Sequence, residues 1–181
     1  LVKEALTLKS ATFTHGRQMG KTLILPVRWN LATAKPVLTT NPTEKLLTNG
    51  IRGSLKYSDF EWCSWTDNDS VSFTIDLLKP EVLNTLTLGC ITNNGMAIHK
   101  PASVKVEVSD DNSKFREAAM QSFTPKEIFR EGNFIENLSL KLGGIQGRYV
   151  RVTAKGPGVC PASHVRPGQT SRIFFDEVIL E

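Results

Sequence analysis

No stretch of this 181-residue chain approaches the ~18 apolar residues that a membrane helix needs. The most tempting run, Leu23-Ile24-Leu25-Pro26-Val27, is short and broken by proline. Cysteine is scarce, and Cys63, Cys90 and Cys160 stand too far apart to form the C-x-x-C pair of a zinc or redox site. One disulfide plus a free thiol, or three buried thiols, both satisfy that spacing. Cations outnumber anions only 22 to 18 and are scattered, without the Lys/Arg cluster or interleaved aromatics of a nucleic-acid surface. A nucleic-acid partner is therefore not expected. Hydrophobic and charged shares of 40% and 22% lie near those of globular domains, which excludes a disordered chain and a bare disulfide scaffold. The chain opens at Leu1 with no start methionine, charged leader or cleavage site, so it reads as a piece of a longer protein.

Catalytic signatures are also missing. There is no G-x-S-x-G elbow, no H-E-x-x-H and no glycine-rich phosphate loop. His15, His99 and His164 are widely separated, and none shares a motif with a nucleophile. Asp176-Glu177 is a tempting carboxylate pair, but neighbours on a strand point to opposite faces and cannot flank one substrate bond. Asp67-Asn68-Asp69 resembles the start of a calcium loop, yet lacks its sixth-position glycine and has Leu78 where the twelfth-position glutamate belongs. It reads as a polar turn before a strand. No enzyme activity is expected of this chain.

What is present is strand after strand. Val71, Phe73, Ile75 and Leu77 alternate with Ser72, Thr74 and Asp76, the period of a strand with one buried face. The pattern returns at Leu86-Leu88-Cys90, Val104-Val106-Val108, Leu138-Leu140-Leu142 and Val150-Val152-Ala154, and an apolar segment from Ile173 to Leu180 closes the chain. Turn clusters separate these, at Thr92-Asn93-Asn94-Gly95, at Ser109-Asp110-Asp111-Asn112-Ser113, and at Gly143-Gly144 with Gly147. Only residues 125–131 read as helical. The spacing predicts an all-β sandwich or barrel and leaves no room for the crossover helices of a parallel sheet. Residues 6–13 and 23–27 read as a hairpin turning at His15-Gly16-Arg17. Two strands cannot hold themselves together, so residues 1–28 are expected to be the tail of a preceding small β domain or linker strands.

Recognition chemistry remains. Trp62 and Trp65 bracket Cys63-Ser64 in a polar loop, and aromatic faces suit the C–H faces of sugar rings while Arg, His and Asn bond hydroxyls. Either tryptophan could equally plug the end of the sandwich.

Several motifs, in order, carry a family likeness over residues 29–181. Trp29-Asn30-Leu31-Ala32-Thr33-Ala34-Lys35-Pro36-Val37 resembles the entry segment of discoidin domains, also called coagulation factor V/VIII type C domains. Leu47-Thr48-Asn49-Gly50-Ile51-Arg52-Gly53-Ser54 is similar to their "LTDGIRGS" turn. Phe73-Thr74-Ile75-Asp76-Leu77, Val108-Ser109-Asp110-Asp111, Arg148-Tyr149-Val150-Arg151-Val152 and Phe175-Asp176-Glu177-Val178 continue the series. Gly158-Val159-Cys160-Pro161 with Ser163-His164, Gly168 and Phe174-Phe175-Asp176-Glu177 resembles the ending of the module behind the catalytic barrel of bacterial β-N-acetylhexosaminidases (chitobiases). Ser163 stands where that ending has tryptophan, Asn49 where the turn usually has aspartate, and Asn112 where a later turn has glycine.

The resemblance implies a galactose-binding-like β-sandwich jelly roll at residues 29–181 whose first and last strands meet at one end. It implies a noncatalytic carbohydrate-binding or accessory module of a periplasmic, cell-surface or secreted glycoside hydrolase, working beside a catalytic domain of the same chain. The glycan would contain N-acetylglucosamine or galactose. Trp65 is the expected stacking residue, Asn94 and His99 the hydroxyl partners, and His164 and Arg172 a second polar arm. Two other roles fit the family: a purely structural brace, or a protein- or membrane-binding domain, for which Met96-Ala97-Ile98 before His99-Lys100 is the candidate apolar tip. The family likeness also implies a structural Ca²⁺ held by Asn49, Ser54, Glu177 and the carbonyl of Leu47.

Overall fold

The computed structural model describes residues 6–27, 29–39, 42–65 and 70–181. β1 (Leu6–Thr14) and β2 (Arg17–Val27) pair as an antiparallel hairpin, with His15 (φ 50°) and Gly16 (φ 76°) supplying the left-handed turn. The expected hairpin is therefore present, and it pairs with no other described strand. The polar turn expected at Asp67-Asn68-Asp69 lies outside the described residues.

The remaining strands form one antiparallel sandwich: β3 (Val37–Leu38), β4 (Cys63–Trp65), β5 (Ser70–Asn93), β6 (Ser103–Ser109), β7 (Arg116–Ser122), β8 (Asn133–Lys155) and β9 (Ile173–Leu180). Two of them run through both layers. The first half of β5 pairs with the second half of β8 from Ser70↔Lys155 to Asp76↔Tyr149, and its second half pairs with the first half of β8 from Thr85↔Lys141 to Asn93↔Asn133. Between these stretches the register shifts twice, and Leu78 (φ 71°), Gly143 (φ 70°) and Gly144 (φ 77°) adopt left-handed backbone where the pair bends from one layer to the other. Gly143-Gly144 is thus a bend inside a strand, not the strand-ending turn that its composition predicts. One layer is completed by β3, β6 and β7, the other by β9 and β4.

The alternating residues face inward as expected. Val71, Phe73, Ile75, Val104, Val106, Val108, Val150 and Val152 from one layer share a core with Leu86, Leu88, Leu138, Leu140, Phe175 and Leu180 from the other. Chain entry and exit meet: the Leu31 N–H donates to the Leu180 carbonyl (3.0 Å), and the Leu180 N–H donates to Asn30 Oδ1 (3.2 Å). The helical stretch is shorter than expected. α1 spans Pro125–Ile128, started by a capping box in which Thr124 and Glu127 satisfy each other's backbone N–H groups. A 3-10 helix at Pro42–Thr48 carried no sequence signal. All three cysteines are free and buried, and burial pushes the Cys63 thiol up to about 12.

The "RG" and "DE" motifs meet at a bulge in the second layer. Arg52 Nε donates to Asp176 Oδ2 (2.7 Å), the Gly53 N–H donates to the same oxygen (2.9 Å), and Arg52 Nη2 reaches Asn137 Oδ1 (2.7 Å). Asp176 is fully buried, while the Arg52 side chain keeps 24% of its surface exposed. Gly89 lies directly beneath this pair: a Cβ there would overlap Asp176 Oδ1 and the Arg52 guanidinium. The two adjacent carboxylates are both spent on structure, since Glu177 Oε2 accepts the Gly50 N–H at 3.0 Å.

Candidate functional site

Two loops clasp each other at the end of the sandwich where β5 finishes and β9 begins. The first, residues 93–100, opens with a 3-10 turn at Asn94–Met96 and a left-handed Ala97 (φ 51°). The second, residues 156–172, is closed by its own ladder, in which Cys160 and Gln169, and Ser171 and Gly158, are joined by backbone hydrogen bonds of 2.9 Å. The His99 N–H donates to the Arg172 carbonyl (3.0 Å), the Arg172 N–H to Ala97 (2.9 Å), and Arg166 Nε to Gly95. Four of the five residues expected at a sugar site, Asn94, His99, His164 and Arg172, are therefore gathered here.

The histidines form the floor. His99 Nε2 lies 3.1 Å from His164 Nε2, and the Arg166 N–H donates to His164 Nδ1 at 3.0 Å. That contact leaves the His164 proton on Nε2, from which it is donated to His99. Burial, then the nearby charge of His164, lowers the His99 pKa to about 4, while the Ile128 carbonyl opposes the shift without closing a well-formed hydrogen bond to Nδ1. His99 is thus a neutral ring at ordinary pH. Phe129, immediately after α1, packs edge-on against both rings, with centroids 5.1 Å from His99 and 6.2 Å from His164.

Above this floor lies a groove of about 690 Å³ between α1 and the 156–172 loop, lined by Lys100, Phe129, Arg130, Glu131, Pro161 and Ser163 among others. A recess of about 130 Å³ adjoins it, sharing Phe129, Glu131, Pro161 and Ser163 and adding Asn94 and His164. The recess is small enough for one hydroxyl or N-acetyl group, and the groove is large enough for sugar rings. Lys100, almost buried, is fixed by an ion pair with Glu136 (Nζ–Oε2 3.1 Å) and lies over the Phe123 ring, so its position at the groove wall is set.

Several expectations need correcting. Trp65 is no platform: it lies in the core, stacked on Phe73 (6.3 Å, 13°) and edge-on to Phe175, with Nε1 donating to buried Glu44 (3.3 Å). Trp62 is buried too, in a second cluster with Ile91, Ile98 and Phe174, its Nε1 bonded to the Ser54 carbonyl. His99 is fully buried and offers no atom to a hydroxyl. Arg172 donates from Nη2 to the Met96 carbonyl (2.6 Å), bracing the first loop instead of pairing with a carboxylate. Ala97 and Ile98 are buried, so Met96-Ala97-Ile98 forms no apolar tip. Sequence reasoning missed Phe129 and Glu131. The signal was the Thr124-x-x-Glu127 capping box, which ends its short helix just before them.

At the 47–54 turn, Asn49 and Glu177 do come together. Asn49 Oδ1 accepts the Ile51 N–H (2.8 Å), its amide nitrogen donates to Glu61 (2.7 Å), and Glu177 grips the adjacent Gly50 N–H. Glu177 Oε1 is buried without a well-formed hydrogen bond, and burial raises the Glu177 pKa to about 9 against the opposing pull of the Gly50 N–H and the Asn30 side chain. Leu47 is fully buried beside this turn. Ser54 departs from the expected set: it is exposed and held against the following loop, its N–H on Asp59 and its hydroxyl accepting the Lys56 N–H.

The family model described as F5/8 type C domain matches residues 33–165. Among solved structures, CpGH89CBM32-6 from Clostridium perfringens is similar at 18% identity and TM-score 0.55, the match covering 84% of this chain and 98% of that one. A fucose-binding module, SpX-3, from Streptococcus pneumoniae is similar at 19% identity and TM-score 0.54, covering 84% and 97%. Chitosan-binding module 1 from a chitosanase/glucanase of Paenibacillus sp. IK-5 is similar at 14% identity and TM-score 0.56, covering 85% and 99%. No curated protein sequence matches the chain.

Proposed function

The chain belongs to the F5/8 type C domain family, and from that premise we propose that it is a noncatalytic carbohydrate-binding module whose glycan lies in the groove between α1 and the 156–172 loop. One observation carries this reading: the groove and its recess share an aromatic ring, a carboxylate and a hydroxyl, in Phe129, Glu131 and Ser163. Phe129 supplies the apolar wall for a sugar face, Glu131 and Ser163 bond hydroxyls, and Asn94 with His164 lines the recess. Ser163, standing where the resembling ending has tryptophan, widens the groove and leaves Phe129 as its aromatic. The fucose- and chitosan-binding neighbours support a saccharide ligand, and N-acetylglucosamine- or galactose-containing glycans are the proposed ligands.

The experiment is calorimetry against oligosaccharides of these two sugars. Phe129→Ala is expected to weaken binding at least about tenfold, roughly 1.4 kcal/mol, and Glu131→Gln, on the exposed rim, to weaken it without changing the melting temperature. Unaltered affinity in both variants would place the site elsewhere.

The wider setting follows as part of the same proposal. The module serves a secreted, cell-surface or periplasmic glycoside hydrolase, a β-N-acetylhexosaminidase by its ending, and raises the effective glycan concentration beside that catalytic domain. The β1–β2 hairpin, which pairs with no other described strand, belongs to a separate small β unit at residues 1–28. A second reading, a lipid-surface contact, is favoured by Leu55 and Phe60, exposed around Lys56 at the same end of the sandwich. Cosedimentation with anionic vesicles that disappears in Phe60→Asp would support it.

The 47–54 turn fits a structural Ca²⁺ in one respect, the unpartnered Glu177 Oε1. We propose that Glu177, the Leu47 carbonyl and Asn49 Oδ1 hold it, without Ser54. With Glu177 as the single anionic ligand, affinity is weak. Millimolar Ca²⁺ is expected to raise the melting temperature of the EDTA-treated protein by a few degrees. No shift in either direction would leave a proton as what satisfies that carboxylate.

A further inference from the structure

Beside the recess, three side chains converge, of which the glycan reading uses only the face of His164 that lines the recess. One ring nitrogen each of His99 and His164 and the Cys160 Sγ lie within 4.8 Å of one another, all three residues buried. From these positions we propose a second, separate site, one that binds Zn²⁺ through the two imidazoles and the thiolate.

The distances suit the ion. Two nitrogens at about 2.0–2.1 Å on a tetrahedral zinc stand roughly 3.3 Å apart, and the two Nε2 atoms are already 3.1 Å apart. Sulfur and imidazole form a donor set that hard Ca²⁺ declines and zinc accepts. His99 is neutral, and the free side of its ring faces a backbone carbonyl, the arrangement that fixes a metal-binding tautomer. Cys160 Sγ has only Ser171 Oγ at 3.4 Å as its partner, so no disulfide or ion pair must break. Of the three ligands only His164 borders the 130 Å³ recess, which makes that ring the side from which an ion approaches. The site is distinct from the Glu177 turn.

Binding has one internal cost. In the metal-free chain His164 carries its proton on Nε2, because Nδ1 accepts the Arg166 N–H. Ligation moves that proton to Nδ1 and releases the Arg166 contact, which lies in the exposed part of the 156–172 loop. The Cys160 thiol proton goes to solvent as the Zn–S bond forms, so each zinc bound releases one proton, and affinity rises with pH.

Cobalt is the probe, since Co²⁺ occupies zinc sites and a Co–thiolate bond absorbs in the near ultraviolet. Titrating the chelator-treated chain with Co²⁺ is expected to give that band together with the visible bands of a tetrahedral ion, both displaced by one equivalent of Zn²⁺. Cys160→Ala is expected to abolish the near-ultraviolet band. His99→Gln, chosen in case the cysteine variant does not fold and because fully buried His99 lies outside the glycan site, is expected to weaken Co²⁺ binding at least tenfold while glycan is still bound. Absence of the band in the wild-type chain, or a band of equal strength in folded Cys160→Ala, would overturn the proposal. Neither result bears on the glycan groove, which the calorimetry above judges independently.

Discussion

Gly89→Ala is expected to lower the melting temperature by roughly 6–20 °C. The site is the middle of an apolar strand, where alanine would ordinarily be an improvement. Here a methyl group would occupy the space of Asp176 Oδ1 and the Arg52 guanidinium. Relief requires the pair to separate, and stranding the fully buried Asp176 carboxylate costs about 3–5 kcal/mol because that charge is left without compensation. For a chain of this size each kcal/mol lowers the melting temperature by about 2–4 °C. Asp176→Ala should match it, since it strands Arg52 and removes the acceptor of the Gly53 N–H. The double variant should be no worse than the more damaging single one, because both remove the same contact. Calorimetric melts of the three variants decide this, and a Gly89→Ala melt within about 2 °C of wild type would mean the bulge yields freely.

Trp65→Ala is expected to cost about 3–5 kcal/mol, the range for deleting a large buried aromatic. It removes packing against Phe73 and Phe175 and leaves the Glu44 carboxylate, buried and with one oxygen already unpartnered, without its indole donor. Trp65→Phe should recover most of the packing but not that hydrogen bond, and so fall between the two. Glycan affinity of any Trp65 variant that remains folded should be unchanged within about twofold. A large loss of affinity at intact stability would restore Trp65 as a sugar platform.

The contrast between Trp65 and Phe129 explains what the sequence could convey. Strand alternation is local, so Val71 to Leu77, Val104 to Val108 and Val150 to Ala154 were legible as half-buried strands without knowledge of their partners. The meeting of chain entry and exit followed instead from the resemblance of residues 29–37 and 175–178 to discoidin domains. In β4, three residues are too few to show a period, and nothing local says that Trp65 points inward while Ser64 does not. β7 escaped because its edge position buries little, leaving Arg116–Ser122 without clean alternation. Gly143-Gly144 reads equally as a turn or as a bend within a strand, and only the continuing register of β5 and β8 distinguishes them.

The site itself was half legible. Asn94, His99, His164 and Arg172 do lie together in the structure, and polar residues in the long loop and in the Asn-Gly turn stand out against a β background. Their division of labour was not legible, since it depends on burial: His99 and Arg172 hold the two loops together, while His164 and Asn94 reach the recess. Phe129 and Glu131 escaped because the groove has its walls about thirty residues apart in sequence, and only the return of β8 and β9 to the same end brings residues 129–131 beside residues 161–164.

Chemical-shift mapping of the isotope-labelled chain with an N-acetylglucosamine or galactose oligosaccharide tests the glycan reading most directly. The account predicts that saturable shifts concentrate on the backbone amides of Phe129, Glu131, Ser163, His164 and Asn94, with Trp65 and the core of β5 unmoved. Shifts centred on any other surface, or no saturable shift with any glycan of the two classes, would contradict it.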